Sequence, residues 1–403
     1  MPAIVEFPSV VSGALEEFGS LFENEPSRRH FAEYLTGLLV AQRKNVSGIN
    51  AEFAVTTDQS CLNRWVNQVS WDAKELNEKR LEWLQTKSAT GYSAKGAIPI
   101  DNVLIDHSGE LIEDVGWFWD HAEARYKIAH NYVIVNYVCT SGKHYPLEFR
   151  RFRKEEQDPT SFKKQTELFR ELVDFVVERN IPGTFAFDCF FTSCESLNHI
   201  NGLDRHYVAD LKFNRKLWFK GRELKASELA AQIPVEIRKP VIANGKKQWY
   251  FTKTIHIPNV DHPVRIVILW KRKNGKDPIK MMITNRTHWE INRILGVYRR
   301  RWTGTETFHR DGKQHLGMGG CQLRNGEGQT RHMYLVMMAY SLLMAQMRHS
   351  CAREWTKTVL TTIGEACRAV CKETLARTID WVIERATYHG WNQHQIHAYL
   401  AIT

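Results

Sequence analysis

Two aspartates that end apolar runs and a glutamate that follows a basic stretch are the residues best suited to chemistry. Asp106 ends the run 98–106, Asp188 ends the run 184–188, and Glu306 follows three consecutive arginines. Carboxylates at two strand ends and on one helix can converge on two Mg²⁺ ions, because Mg²⁺ prefers hard oxygen ligands. Two such ions activate a water or hydroxyl and stabilise the leaving oxygen of a phosphodiester. The three acids therefore predict phosphodiester chemistry.

The charge balance of the chain points to a polyanionic partner. The 403 residues carry a formal net charge of +10, with 43% hydrophobic and 25% charged residues. This composition is that of an ordinary globular protein, and the positive charge favours nucleic acid, with an anionic membrane surface left open. No apolar run reaches the roughly 18 residues of a membrane span, and the N-terminus lacks the pattern of a signal peptide.

The cysteines and histidines predict no metal cluster of their own. Eight cysteines are scattered without a Cys-x-x-Cys pair, and Cys367 and Cys371 have the spacing of neighbouring core thiols on a helix. Reduced thiols are expected in the cytoplasm. His309, His315 and His332 lack zinc-ligand spacing. The sequence also lacks a P-loop, so no nucleotide cofactor is expected.

The order of elements in the first half predicts an α/β fold with an RNase H-like mixed sheet and flanking helices. Apolar periodicity predicts helices up to about residue 90, and a polar link at 86–96 follows. A strand at 103–106, a hairpin at 132–149, a helix at 162–179 and a strand at 184–187 come next. In such a sheet, the ends of the first and last of these strands would bring Asp106 and Asp188 together.

The N-terminal region is predicted to be helical and to bind DNA. Two short helices, at 46–54 and 58–69, flank a tight turn, and Asp58 is a suitable N-cap for the second. They resemble a helix-turn-helix that would let Arg64 face a groove. A small helical bundle with a polar outer face is the alternative.

Residues 205–285 are predicted to form a last core strand and a β-rich insertion. Apolar pieces occur at 207–213, 235–238, 248–252 and 264–270, and the pattern becomes helical from residue 290. Trp249 and Trp270 lie among six lysines and arginines, which suits binding of a displaced base and its backbone. A β-domain core with a basic rim explains the same pattern equally well.

These patterns divide the chain into five segments. The predicted segments are a helical DNA-binding region at 1–96, the first part of the catalytic core at 97–204, the last core strand with the insertion at 205–285, the Glu-bearing helix and the following helix at 286–350, and a C-terminal helical region at 351–403.

The string at 298–317 carries a family resemblance. Two residues separate Tyr298 from Arg301, and six separate Glu306 from Lys313. This spacing resembles the tyrosine-arginine-glutamate-lysine signature of DDE transposases of the IS4 and IS701 insertion-sequence groups. Four residues separate Arg301 from Glu306, where the signature usually has three; a local bulge, or Arg300 in place of Arg301, would absorb the difference. The resemblance extends over about residues 20–345.

The resemblance implies a role for each of these residues. Asp106, Asp188 and Glu306 would bind two Mg²⁺ or Mn²⁺ ions. Apart from the resemblance, Asp210 is the first reserve because it follows a predicted strand, and the other possible acids are Asp101, Asp114, Asp120, Asp311 and Glu327. DNA contacts near the cut would come from Tyr298, Arg301 and Lys313, together with Arg300 and Trp302. Core packing is the alternative for Tyr298 and Trp302, and a solvated basic face is the alternative for the arginines.

The resemblance also implies a function. The protein would be a bacterial, cytoplasmic cut-and-paste transposase that associates with the nucleoid through DNA. It would bind the terminal inverted repeats of its element, act as a homodimer in a synaptic complex, cleave each end and join the 3′-hydroxyl to target DNA. A hairpin intermediate is implied by the β-rich insertion. The rival hypotheses are an RNase H-like endonuclease that does not join strands and an inactive transposase-derived DNA-binding protein.

Overall fold

Helices occupy both ends of the chain and strands its middle in the computed structural model, which describes residues 3–243, 245–347 and 359–400. The α-helices of this part are α1 (Ser9–Phe18), α2 (Glu25–Val40), α3 (Val46–Asn50), α4 (Gln59–Asn67), α5 (Ala73–Gln85), α6 (Gln165–Glu178), α7 (Cys194–Gly202), α8 (Ala226–Gln232), α9 (Ile291–Gly304), α10 (Glu306–His315), α11 (Gly326–Gln346), α12 (Ile363–Tyr388) and α13 (Gln393–Tyr399). The strands are β1 (Ala97–Asp106), β2 (Gly116–Asp120), β3 (Arg125–Val138), β4 (His144–Phe152), β5 (Thr184–Phe187), β6 (His206–Asp210), β7 (Lys216–Phe219), β8 (Arg222–Lys225), β9 (Lys239–Ala243), β10 (Lys246–Ile255), β11 (Val264–Trp270) and β12 (Lys280–Thr284).

The chain divides into two compact units, each built from separate stretches of sequence. Unit 1 comprises Met1–Gly91, Leu104–Asn131 and Phe308–Thr403, and unit 2 comprises Tyr92–Val103 and Tyr132–Thr307. Unit 1 thus contains helices from both ends of the chain, whereas the five predicted segments follow the sequence in order. The boundaries of those segments remain a prediction.

Unit 1 is built around α11, which is buried along most of its length. Its sequence is apolar on all sides in its central turns, as expected of a helix surrounded by other helices. Near its start, the buried Arg331 guanidinium donates to the carbonyl oxygens of Val66, Val69 and Trp71, at 2.9–3.1 Å. Arg331 therefore satisfies the carbonyls at and beyond the C-terminal end of α4, which otherwise would lack partners.

His332, also on α11, is a buried neutral histidine. The Tyr34 hydroxyl lies 2.9 Å from Nδ1, and Nε2 lies 2.8 Å from the carbonyl oxygen of Gly317. The Nε2–H tautomer satisfies both contacts, because it donates to Gly317 and accepts from Tyr34. Burial lowers the pKa of His332 from 6.5 to about 4.

This histidine is expected to make unit 1 sensitive to acid. The unfolded chain takes up a proton at the ordinary pKa of 6.5, whereas the folded chain resists protonation down to about 4. The stabilisation is therefore complete above 6.5 and is lost as the pH falls through this window. We expect His332 to account for about 2 kcal/mol of lost unfolding free energy between about pH 7.5 and pH 5.

Urea unfolding at the two pH values, compared between the wild type and His332→Gln, measures this contribution. The variant should lose about 2 kcal/mol less than the wild type on acidification. Equal losses in the two proteins would show that His332 is not the responsible group.

Unit 2 contains a mixed sheet with the strand order β4-β3-β1-β5-β6-β12-β11-β10-β9. β1, β5 and β6 run parallel, whereas β6, β12, β11, β10 and β9 pair antiparallel in succession. Helices cover both faces. Phe187 of β5 contacts Phe169 of α6, with ring centroids 4.9 Å apart, and the neighbouring Ala186 packs with α9. Because successive strand residues point to opposite faces, α6 and α9 lie on opposite sides of β5.

The β-rich part of the sequence extends this same sheet. β9, β10 and β11 join it through β12, and among the described residues a separate two-stranded sheet is formed by β7 and β8. The strand predicted at 235–238 is wrong, because Val235–Ile237 form a 3₁₀ turn and the strand β9 begins at Lys239. Pro234 precedes that turn with a φ of −60°, a value that proline fixes and that suits a helical turn.

The predictions on membrane spans and on cysteines can be compared with the described residues. None of the helices in the described ranges is long and apolar enough to cross a membrane. The cysteines in the same ranges are all free thiols, among them Cys367 and Cys371.

Candidate active site

Three aspartates lie at the carboxyl ends of the parallel strands of unit 2. In each of the strands β1, β5 and β6, an aspartate comes directly after the last residue that is paired in the parallel register. These aspartates are Asp101, Asp188 and Asp210 respectively. Continuing each register by one residue places Asp101 beside Asp188 and Asp188 beside Asp210. Side chains alternate along a strand, so Asp188 points to the same face as Ala186, which packs against α9. The three carboxylates therefore share the α9 face.

Glu306 comes from a break between two helices. α9 ends at Gly304, and α10 begins at Glu306. Between them, Thr305 is fully buried, and its backbone N–H and hydroxyl both donate to the Arg301 carbonyl oxygen, at 2.9 and 2.8 Å. The break falls between Arg301 and Glu306, where this sequence has one residue more than the transposase signature. A local irregularity was the expected way to absorb that residue.

Gly304 lets the end of α9 approach the sheet. A Cβ at this position would lie 2.5 Å from Cγ of Pro99 and 2.7 Å from Cγ2 of Val138. We expect Gly304→Ala to lower the free energy of unfolding by about 1–3 kcal/mol, because overpacking forces the helix end away from the strands.

Gly296→Ala is the matched control for this prediction. It lies in the same helix, and its Cβ would meet no atom within 4 Å, so it should stabilise by about 0.5–1 kcal/mol through helix propensity. Denaturant unfolding of both variants tests the close approach. Equal effects of the two substitutions would contradict it.

Asp101 is the buried member of the acid cluster. It is 7% exposed, and its Oδ2 accepts from the Arg301 guanidinium at 2.5 Å. Burial raises the pKa of Asp101 to about 7, the Arg301 charge opposes this rise, and the charges of Asp188 and Glu306 add to it. Asp101, Asp188, Glu306 and Arg301 thus form one electrostatic group within unit 2.

Asp106, the first acid of the sequence prediction, belongs to unit 1. Its side chain is 52% exposed and accepts from Lys127 at 2.8 Å. The same ammonium group contacts Asp120, at 2.9 Å, and Glu123. Lys313 is exposed and lies within electrostatic range of these groups. Asp188 and Glu306 belong to unit 2, and the aspartate of that unit that interacts with them is Asp101.

Asp210 is held by two donors. The Tyr298 hydroxyl donates to its Oδ2 at 2.6 Å, and the Lys280 ammonium donates to the same oxygen at 3.0 Å. Lys280 also donates to the Tyr298 hydroxyl oxygen at 2.8 Å. Burial raises the pKa of Tyr298, and the Asp210 charge contributes to the rise. The hydroxyl that was expected to hold a DNA phosphate is therefore engaged within the protein.

Two further residues expected to contact DNA are buried. Arg301 is 6% exposed and is bonded to Asp101. Trp270 is fully buried in the sheet, and the Arg238 guanidinium lies 4.0 Å from its ring centroid. Stacking on DNA is not available to Trp270 in this conformation, since it lies on a central strand between β10 and β12. Its role is core packing, the alternative reading of the sequence.

The other expected DNA contacts are accessible. Trp302 on α9 is 54% exposed, and Arg64 on α4 is exposed. Arg300 is partly buried and donates to the Lys95 carbonyl oxygen. Trp249 is partly buried, and Lys247 and Lys273 each hold an ammonium 5.4 Å from its ring centroid.

A cavity of about 750 Å³ lies within unit 2 next to the Tyr298 group. Lys280 and Tyr298 form its inner wall, and exposed apolar side chains such as Ile242 and Trp302 form its rim. Arg299 adds a cation to the same lining. An apolar cleft with a few polar groups suits the flat, partly polar surface of a nucleobase.

The acid cluster fits a divalent cation in its donor chemistry. Carboxylate oxygens are the ligands that Mg²⁺ and Mn²⁺ prefer, and a cation would relieve the repulsion that contributes to the raised pKa of Asp101. A carboxylate offers about four lone-pair positions, and Asp101 uses two, on Arg301 and on the Asn102 N–H. Within the described ranges, no three His, Cys, Asp or Glu side chains are already gathered around a metal position.

Comparison with known proteins identifies the family of the chain and a solved structure of similar fold. The family model for the DDE superfamily endonucleases matches residues 17–232. No curated protein matches the sequence. The fold resembles that of the piggyBac transposase, in a cryo-EM structure of its synaptic complex with hairpin DNA. The TM-score is 0.52 at 9% identity, over 99% of this chain and 81% of that one. The predicted RNase H-like α/β fold is therefore confirmed.

Proposed function

Because the chain belongs to the DDE superfamily of endonucleases, we propose that it is a transposase that cuts DNA at the ends of its own insertion sequence and joins them to target DNA. The observation that carries this proposal is the acid cluster of unit 2, in which Asp188 and Glu306 interact with the buried Asp101. A net charge of +10 supports a polyanionic substrate.

We assign the catalytic roles to Asp101, Asp188 and Glu306, with Asp106 as the alternative for the first position. These carboxylates would hold the Mg²⁺ or Mn²⁺ ions, and the family resemblance implies two of them. When bound, such ions activate a water or a 3′-hydroxyl and stabilise the leaving oxygen. Arg301 would favour the ionised form of Asp101 and fix it in place, because its guanidinium offsets part of the cost of burying that carboxylate.

DNA contacts are proposed for accessible residues of each unit. Trp302 and Arg299 lie on the exposed side of α9, and Arg300, Trp249, Lys313 and Arg64 stay candidates from the sequence. A hairpin intermediate would need a place for an unpaired base, and the cavity beside Tyr298 offers apolar walls and a tryptophan for stacking. The piggyBac transposase, similar in fold, was captured with hairpin DNA, which supports this part of the proposal.

The partners would be the terminal inverted repeats and target DNA, with two copies of the chain in a synaptic complex. Capture of the piggyBac transposase as a synaptic complex supports this expectation. We place the protein in the bacterial cytoplasm, bound to the nucleoid through DNA.

The decisive experiment incubates the protein with DNA carrying the flanking element ends, with and without Mg²⁺, and maps the cut positions. A transposase cuts at the element ends and also joins a pre-cut 3′-hydroxyl end to a second DNA. Cutting without joining would identify the endonuclease alternative. Binding without any cleavage would identify the inactive DNA-binding protein.

A further inference from the structure

A second cavity, of about 440 Å³, opens where β5 and β6 end. Its walls are the loop that follows Asp188, the loop that follows Asp210 and a short turn near Pro258. We call it the 190–215 groove. The lining residues used below are Phe190, Thr192, Lys212, Asn214, Arg215 and Asn259.

The groove is fixed to the acid cluster by short hydrogen bonds. The Phe190 N–H donates to Asp188 Oδ1 at 2.9 Å. The Thr192 hydroxyl lies 3.0 Å from the Asp188 carbonyl oxygen and 2.8 Å from that of Asp210. One wall of the groove is thus hydrogen-bonded to the ends of β5 and β6, which carry Asp188 and Asp210. A molecule bound in the groove would therefore be held at a fixed position relative to these two acids.

The charge of the groove is positive. Lys212 and Arg215 line it, and neither forms an ion pair with any carboxylate in the described parts of the chain. Lys216 is neutralised by Glu223, at 2.8 Å. One carboxylate, Glu195, lies within electrostatic range of Arg215. Two cations without a salt-bridge partner therefore face this space, and the nearby acids are Glu195 and the strand-end pair Asp188 and Asp210.

The far wall holds Arg215 in a defined position. Its guanidinium lies 2.9 Å from Cys194 Sγ, and that thiol in turn donates to the Pro258 carbonyl oxygen at 3.3 Å. Within the described residues, Arg215 forms no salt bridge, and Glu195 acts on it only at longer range. Arg215 can therefore direct its remaining N–H donors to an anion, in the fork geometry that suits phosphate oxygens.

We propose that the 190–215 groove binds the phosphodiester backbone of the DNA strand next to the phosphate that is cut. This inference rests on the proposed function and adds a binding site to it. Lys212 and Arg215 supply charge, while Thr192, Asn214 and Asn259 supply neutral polar contacts of the kind that position a duplex without reading its sequence. The half-exposed Phe190 ring offers a surface for a sugar or base.

The test compares two variants that lose the same charge. The groove variant is Lys212→Gln with Arg215→Gln. The control variant is Lys220→Gln with Arg222→Gln, whose side chains are exposed at the β7–β8 turn and do not line the groove. DNA affinity for an element end is measured from low to moderate salt, and thermal unfolding confirms that both variants fold.

Loss of two phosphate contacts should reduce the slope of log affinity against log salt by about 1.8 and lower affinity about 10–100-fold near 0.1 M salt. The control should keep the wild-type slope. A groove variant with the wild-type slope and affinity would overturn the inference while leaving the proposed function intact. A wild-type protein that neither binds nor cuts element ends would instead overturn the proposed function.

Discussion

Replacing Asp188 with alanine is expected to lower Mg²⁺-dependent DNA cleavage by about 10³-fold or more while leaving the binding of element ends intact. Asp188 sits at the centre of the proposed site, with Asp101 on β1 on one side and Asp210 on β6 on the other. Its carboxylate is partly accessible, so it can face a substrate. Removing it takes away a ligand that no neighbour replaces, because Asp210 is already bound by Tyr298 and Lys280.

The measurement is single-turnover nicking of an end-labelled element end, paired with a binding assay on the same DNA. Asp188 Oδ1 also accepts the Phe190 N–H, so Asp188→Asn serves as a control that preserves the side-chain shape. Both variants should bind and fail to cut. Near wild-type cleavage by Asp188→Asn would remove the carboxylate from the mechanism and with it the proposed site.

The second prediction with a large expected effect distinguishes Asp101 from Asp106 as the β1 member of the three catalytic acids. Asp101→Asn should abolish cleavage as fully as the Asp188 variants, because Asp101 lies within electrostatic range of Asp188 and Glu306. Asp106→Asn should keep cleavage within about five-fold of the wild type, because the Asp106 carboxylate is half-exposed and its ion pair is one of three that Lys127 forms. Lys127 would still have Asp120 and Glu123 as partners.

Asp101→Asn needs a stability control because it leaves the buried Arg301 without a charged partner. Breaking a buried ion pair costs about 3–5 kcal/mol, so lost activity could reflect unfolding. The double variant Asp101→Asn with Arg301→Gln removes both charges and should recover much of that stability while cleavage stays lost. Loss of cleavage in Asp106→Asn, together with activity in Asp101→Asn, would restore the sequence-based assignment.

Local sequence patterns were sufficient to predict much of the architecture. The apolar runs and their turn residues predicted the hairpin now seen as β3 and β4, the helix α6 and the strand β5. Asp58 caps α4 as predicted, accepting from the Ser60 N–H at 2.9 Å. These features depend on side-chain alternation and capping within a few residues, which are visible in a single sequence.

Comparison of the residues that precede Asp101 with those that precede Asp188 could have identified Asp101 as a candidate acid. Four strand residues precede Asp101, and four precede Asp188, each string alternating between the two faces of the sheet. The longer apolar run that ends at Asp106 instead favoured that residue as the first acid. Both aspartates lie on β1, so a local pattern cannot tell which of them lies level with Asp188.

The sequence alone thus determined most of the element types, though not the 3₁₀ turn at Val235–Ile237, together with the RNase H-like order and the presence of acids at strand ends and on the α9–α10 segment. Tertiary structure decided which acid of β1 stands beside Asp188, and that Trp270 and Arg301 lie in the interior. The reason is that the strand register pairs residues more than 80 positions apart, such as Ile100 with Phe187, through backbone hydrogen bonds. Such pairing depends on how whole strands align and leaves no mark in the neighbouring sequence.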